Sequence, residues 1–215
     1  MIKVKQFAFN PFGVSTFVVY DPATADAAVV DPGMVSDAEK ARFEAFVKDN
    51  GLKINQIINT HLHVDHCIGN QWIKEHYCVP VAANKADAFL GERVAQQAAS
   101  FGMVFDEVRG VTIDRDLREG DTVEVGKYKL EVLEVPGHTP GGIALYSPEG
   151  RWVICGDSLF RGSIGRTDLP GGDHAALVEA VKAKLLTLPP ETMALPGHDR
   201  PTTIAEEKSH NPFLK

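Results

Sequence analysis

Residues 60–66 read Thr-His-Leu-His-Val-Asp-His, directly after a run, Ile54 to Asn59, with the composition of a buried strand. Few folds have a use for so many imidazoles and a carboxylate in so short a stretch. Crowded together, these side chains need a cation to hold them. A strand that ends in such a cluster aims it into a cleft from a rigid base. In an extended segment His61 and His63 point the same way and Asp65 continues that register. His66 then faces elsewhere, where it can serve a second centre.

Three more potential ligands stand where strands are expected to end. His138 lies in Pro136-Gly137-His138-Thr139-Pro140-Gly141, after Lys129 to Val135. Asp157 follows Trp152 to Cys155, and His198 follows Met193 to Leu195. Singly, a glycine-flanked histidine is more often a turn residue than a ligand. Beside the 60–66 cluster, the set reads jointly as a metal centre. Imidazole and carboxylate without thiol suit Zn, Fe or Mn. Cys67 and Cys155 read as small packed hydrophobes. His76, His174 and His210 fall on expected helices, without partners, and are not assigned to the site.

The rest of the chain supplies a scaffold for such strand ends. Lys3 to Phe9, Val14 to Tyr20 and Ala27 to Val30 read as strands, the last stopping at Asp31-Pro32-Gly33. Ser36 with Glu39 forms a capping box for a helix bearing Phe43, Phe46 and Val47, which ends at Asn50-Gly51. A helix is expected from about Ile68 to His76 and a strand over Val79 to Ala83. Asn84 can cap a further helix with Leu90, Val94 and Ala98 on one face. Phe101 to Val111 is apolar but aperiodic and reads as a loop or flap. Thr122 to Val125 and Lys129 to Val135 form a hairpin through Gly126, and Gly142 to Tyr146 is another strand. Asp173 caps a helix carrying Leu177, Val181 and Leu185, and a short helix from about Ile204 to Ser209 closes the chain. Two halves, each with strands first and helices after, predict an α+β sandwich. Two sheets face each other with helices outside, and residues 1–215 make one domain.

Composition narrows the partners. A formal net charge of −7 argues against nucleic acid or an anionic membrane surface, both of which want a basic face. No run approaches the ~20 apolar residues of a membrane span. The opening MIKVKQFAFNPFG alternates like a strand and lacks the apolar core of a signal peptide. An odd count of 3 cysteines fits a reducing cytoplasm.

THLHVDH, PGHTPG, the strand-terminal GDSLF and the late PGHD together resemble, in order and spacing, the metallo-β-lactamase superfamily, and VVDPG resembles its second-strand turn. The resemblance spans nearly the whole chain. It implies a four-layer αβ/βα sandwich with the site at one edge of the two sheets. It also implies that His61, His63 and His138 hold one metal, that Asp65, His66 and His198 hold another, and that Asp157 bridges them. Two divalent ions are expected, Zn first, with Fe or Mn as alternatives. GDSLFRGSIGRTDLPGGDH and the ending HNPFLK resemble the short glyoxalase II-like hydrolases. That likeness implies cleavage of a small-molecule thioester of the S-lactoylglutathione type by a metal-bridging hydroxide, which Asp65 orients or deprotonates. True metallo-β-lactamases often carry cysteine where Asp157 stands, which argues against that activity. Full-length glyoxalase II enzymes add a helical C-terminal domain for glutathione, whereas only a short segment follows His198 here.

A thioester suits such a site because a thiol of pKa roughly 8.5 leaves as thiolate without a general acid. An amide would need its nitrogen protonated, and no donor is evident. Arg166 either binds a substrate carboxylate or pairs with Asp168 to shape its loop. Phe101, Met103 and Phe105 form an apolar flap over the acyl group, core packing or a subunit contact. Other readings are a mononuclear iron persulfide dioxygenase, which also shares the GRTD piece, a hydrolase of another thioester or lactone, and a non-enzymatic metal-binding protein. The last has little use for a bridging carboxylate in an open cleft.

Overall fold

The computed structural model describes residues 1–102 and 108–215. The chain builds two sheets of six strands each. The first has β1 (Lys3–Phe9), β2 (Val14–Tyr20), β3 (Asp26–Val30), β4 (Lys53–Ile58), β5 (Val81–Ala83) and β6 (Arg115–Asp116), in that spatial order. The second runs β14 (Thr202–Thr203), β13 (Met193–Pro196), β10 (Trp152–Gly156), β9 (Ile143–Ser147), β8 (Tyr128–Glu134) and β7 (Thr122–Val125). Between β10 and β13, β11 (Leu159–Phe160) and β12 (Ser163–Ile164) form a small hairpin.

Period-2 alternation sorts side chains between cores. In β2, Phe17 and Val19 face the space between the sheets, where they meet Val30, Ile58, Leu130, Leu145 and Ile154. Val14 and Val18 face the other way and pack with Phe43 and Val47 of α1 (Asp37–Asp49) and Ile73 of α3 (Asn70–Tyr77). In the second sheet, Val153, Cys155 and Ala194 face outward against Leu177 of α6 (His174–Ala180) and against Val181 and Leu185 just beyond it. Both faces of each sheet are therefore covered, which gives the helix–sheet–sheet–helix sandwich. Each fully buried Leu, Ile or Val contributes about 1.5–3 kcal/mol.

The Ser36–Glu39 capping box forms as expected. Elsewhere, local pattern gives way to tertiary demand. The helix expected from about Ile68 begins earlier, as α2 (Val64–Cys67), and restarts as α3. The helix expected after Asn84 breaks into a 3₁₀ turn (Lys85–Asp87), α4 (Ala88–Gly91) and α5 (Val94–Ser100). Leu90, Val94 and Ala98 still share a buried face, against Leu62, Val64 and Cys67. The break is anchored by Gln97, whose Nε2 donates to Leu90 O at 2.9 Å and Leu62 O at 3.3 Å. The helix opened by Asp173 relaxes into π geometry over Val181–Leu185.

Candidate metal centre

Parallel pairing gathers the strand ends. β3 runs parallel to β4, and β10 parallel to β13, so each pair delivers its C-terminal residues to one edge. Asp31 and Thr60–His61 emerge from the first pair, Asp157 and His198 from the second, and His138 from the loop after β8. The structure brings all seven expected residues together. His61, His63 and His138 form one compact trio, and Asp65, His66 and His198 another. Asp157 stands between them: its Oδ2 lies 3.6 Å from both His138 Nε2 and His198 Nε2, and its Oδ1 3.3 Å from His66 Nε2.

One detail of the sequence reading is corrected. Asp65 does not continue the extended register of His61 and His63, because α2 begins at Val64 and turns the chain. Asp65 instead lies with its helical neighbour His66 and with His198, whose Nε2 is 3.1 Å from Asp65 Oδ2.

Four of the imidazoles have Nδ1 tied to an oxygen. His66 Nδ1 is 3.0 Å from Asp31 Oδ2, His138 Nδ1 is 2.7 Å from Arg166 O, and His198 Nδ1 is 3.1 Å from Phe12 O. His61 Nδ1 is 3.1 Å from Thr60 Oγ1, which itself donates to Asp31 Oδ2 at 2.6 Å. With Nδ1 tied outward, each Nε2 is aimed at the others, the arrangement of metal-ligating histidines. His63 is reversed: its Nδ1 faces His138 Nε2 at 2.9 Å. Four buried atoms, His61 Nε2, His63 Nε2, His66 Nε2 and Asp157 Oδ1, have no hydrogen-bond partner among the described residues. His66 Nε2 and Asp157 Oδ1 approach each other without the alignment a hydrogen bond requires. Leaving such groups unmade is costly, and a divalent cation fits this donor set.

The charges agree. Burial first, then the neighbouring imidazoles, push the His61 pKa far below its usual range, and they push His63 down to about 3, so both are neutral donors. Burial opposes a charge on His66, but the carboxylates of Asp157, Asp65 and Asp31 outweigh it and raise the pKa. Asp157 is held well below the usual carboxylate range because His66, His198 and His138 overcome its burial. Gly197 is required beside them, since a Cβ there would fall 2.2 Å from Asp157 Oδ1 and 2.6 Å from His66 Cε1.

Asp31 was read from sequence only as a turn residue. It is fully buried, accepts from Thr60 N at 2.7 Å as well as from Thr60 Oγ1, and orients His66. Its oxygens are thus committed, so it stands behind His66 although it lies close enough to group with His61 and His66. Asp31 holds this place with a positive φ of 51°.

A cavity of about 580 Å³ opens over the cluster, walled by Phe12, Phe89, Phe101 and Leu169, with Arg93 and Arg166 at its polar side. Phe12 and Phe101 meet edge-on at 5.4 Å. Of the expected flap, Phe101 lines this cavity, and Met103 and Phe105 lie outside the described residues. Arg166 donates to both Asp168 oxygens at 2.7 Å, so the local pairing forms while the residue still lines the cavity. Phe12, Phe89 and Arg93 were not anticipated; nothing in their local sequence marks them. A second hollow, of about 680 Å³, between α6 and Phe213, contains none of the clustered residues. Cys67 and Cys155 are buried as expected, and Cys78 is exposed. His76 and His210 lie near Glu44 and Glu206 at the surface, and His174 sits at the start of α6.

Comparison with known proteins agrees with this geometry. Residues 9–198 match the profile of the metallo-β-lactamase superfamily. The chain belongs to that superfamily. It is 36% identical over 191 residues to hydroxyacylglutathione hydrolase GloC of Haemophilus influenzae, covering 88% of this chain and 87% of that one. It is 27% identical to human mitochondrial persulfide dioxygenase ETHE1, over 96% of this chain and 74% of that one. Among solved structures, BLEG-1 B3 metallo-β-lactamase superposes with TM-score 0.88 at 31% identity, covering 99% of this chain and 100% of that one. TTHA1623 in a di-iron-bound form gives 0.86 at 36% identity, covering 98% and 100%. No helix among the described residues is long and apolar enough to cross a membrane.

Proposed function

We propose that this chain is a metal-dependent hydrolase of a small thioester of the hydroxyacylglutathione kind. The observation that carries the proposal is the pair of donor trios sharing Asp157 on the floor of one cleft. In this reading His61, His63 and His138 hold one cation, Asp65, His66 and His198 hold a second, and Asp157 is common to both. Zinc is the first choice for these donors, with iron or manganese as alternatives; the di-iron form of TTHA1623 supports the iron option. Bound there, a pair of such ions would lower the pKa of a water to near neutrality and polarise a carbonyl.

The side chains supply the rest. Neighbouring His66 and the hydrogen bond with His198 keep Asp65 ionised despite its burial, ready to orient the attacking water or take its proton. Phe12, Phe89 and Phe101 pack against the acyl group and keep bulk water away. The departing thiolate, of pKa about 8.5, needs no general acid. Likeness to GloC supports the thioester.

Hydrolysis of S-lactoylglutathione should be rapid and should vanish in His63→Ala. Folded, metal-loaded protein that leaves this substrate intact would defeat the glutathione-thioester reading. Oxygen uptake with glutathione persulfide would instead support the persulfide dioxygenase reading, which the ETHE1 likeness keeps second. Turnover of a chromogenic cephalosporin would point to the β-lactamase activity named for BLEG-1.

A further inference from the structure

Asp87 belongs to none of the metal-binding motifs, yet it is the carboxylate on which two of their loops converge. It ends the 3₁₀ turn Lys85–Asp87 and is fully buried. Its Oδ2 accepts from Leu62 N at 3.2 Å and from Thr139 Oγ1 at 2.8 Å; its Oδ1 accepts from Gly141 N at 2.6 Å. Leu62 lies between His61 and His63, and Thr139 follows His138. One carboxylate group therefore fixes both backbone segments that carry the His61, His63 and His138 trio.

The surroundings are built for this contact. A Cβ on Gly141 would fall 2.8 Å from Asp87 N, Cγ and Oδ1, so only glycine lets the 138–141 loop come close enough to donate. Leu62 is held on its opposite side as well, where its carbonyl accepts from Gln97 Nε2 at 3.3 Å. Burying a carboxylate away from water is costly unless its oxygens are filled, and these are filled by donors from the two loops and nothing else among the described residues. With its oxygens so occupied, Asp87 is not itself a ligand.

We infer that Asp87 is a positioning residue that sets the spacing of His61 and His63 against His138, and so tunes the affinity of that trio for its cation. The inference rests on reading those histidines as one ligand set. Asn at this position keeps the shape but turns an amide N–H₂ toward a donor, opening the gap between the loops.

The test is metal titration of stripped wild-type protein, Asp87→Asn, Thr139→Val and His63→Ala with Zn(II), in competition with a chromogenic chelator. It is paired with thermal melts of the metal-free proteins. His63→Ala identifies the equivalent that belongs to the His61/His63/His138 trio. Asp87→Asn should weaken that same equivalent about 10–100-fold while the other moves by less than about twofold. Thr139→Val should weaken it in the same direction by less. Wild-type affinity for both equivalents in Asp87→Asn would overturn the inference, as would equal weakening of both alongside a lower metal-free melting point. If Asp87→Asn does not fold, Thr139→Val decides: unchanged affinity for the trio's equivalent overturns the inference. Wild-type protein that binds neither zinc nor, in the same titration, Mn(II) or Fe(II) defeats both this inference and the proposed function. Two tight zinc equivalents without thioester cleavage would defeat only the latter.

Discussion

His66 Nδ1 and Asp31 Oδ2 lie 3.0 Å apart, both side chains wholly buried. The contact joins the end of β3 to the start of α2 and leaves His66 Nε2 pointing at Asp65 and Asp157. It fixes the ring's tautomer and its tilt at once. Removing the negative charge from Asp31 should therefore act on the metal, even though Asp31 need not touch it. Asp31→Asn is expected to lower affinity at the Asp65/His66/His198 trio about 10–100-fold. Competition titration against a chelator would measure this, and an unchanged constant would show that the pair does not orient the ring.

Metal removal should cost stability. Four buried polar atoms lack partners among the described residues, and a cation held by them would favour the folded state. At a free concentration about a thousandfold above its dissociation constant, a ligand stabilises by about 4 kcal/mol. Calorimetry before and after chelation should show a lower melting temperature that returns with added zinc. Identical melting temperatures would mean that the cluster holds no ion.

The bare site should also respond to acid. Burial pushes the His63 pKa down to about 3, whereas the unfolded chain takes up that proton near pH 6.5. Between those values the unfolded state binds more protons, so the term from His63 destabilises as pH falls through that window. His61 acts in the same sense. His66 and His198 act oppositely, because their raised values favour the protonated folded state and that contribution is lost as pH rises. Metal-free His63→Gln should show a shallower loss of stability between pH 6.5 and about 3, by up to about 1.4 kcal/mol per pH unit. Denaturant midpoints across pH compare the two, and parallel profiles would contradict the assignment.

Arg93 lines the cleft and, among the described residues, has no carboxylate within ion-pair distance, unlike Arg166. An anionic group on the proposed thioester's thiol carrier could therefore pair with it. Arg93→Ala should raise KM for S-lactoylglutathione about fivefold, equivalent to roughly 1 kcal/mol at an exposed position, with kcat little changed. Steady-state kinetics decide between this and an equal loss in kcat, which would place Arg93 in the chemistry.

Packing between the sheets gives a separate test of the fold. Leu130 is fully buried and faces Val30 and Ile58 across the sandwich. Leu130→Ala should cost about 2–5 kcal/mol in denaturant unfolding. A loss under about 1 kcal/mol would mean that the two sheets do not meet there.

The candidate site was legible in the sequence because its residues stand at strand ends or, for Asp65 and His66, just beyond one, and strands announce themselves through local composition. The Ser36–Glu39 cap was legible for the same reason: both partners lie within one helical turn. Asp87 and Asp31 were not. Their partners, Thr139 and Gly141 in one case and Thr60 and His66 in the other, are distant in sequence, and no local spacing encodes them. The broken helix after Asn84 has the same origin, since Gln97 trades helical regularity for a grip on Leu62. Two-residue strands such as β11 and β12 carry too little pattern to stand out from a loop. Arg166 had two readings in the sequence, and its Nε and Nη2 both donate to Asp168 while it still lines the cavity.

His198 is steadied by the Phe12 carbonyl, and Gly197 O accepts from Ser15 N. The last of the clustered histidines is thus seated on the first hairpin. During synthesis His61, His63 and His138 have all emerged well before residue 198, so one donor trio exists while the other is missing its final member. Both donor trios are complete only once residue 198 has been made.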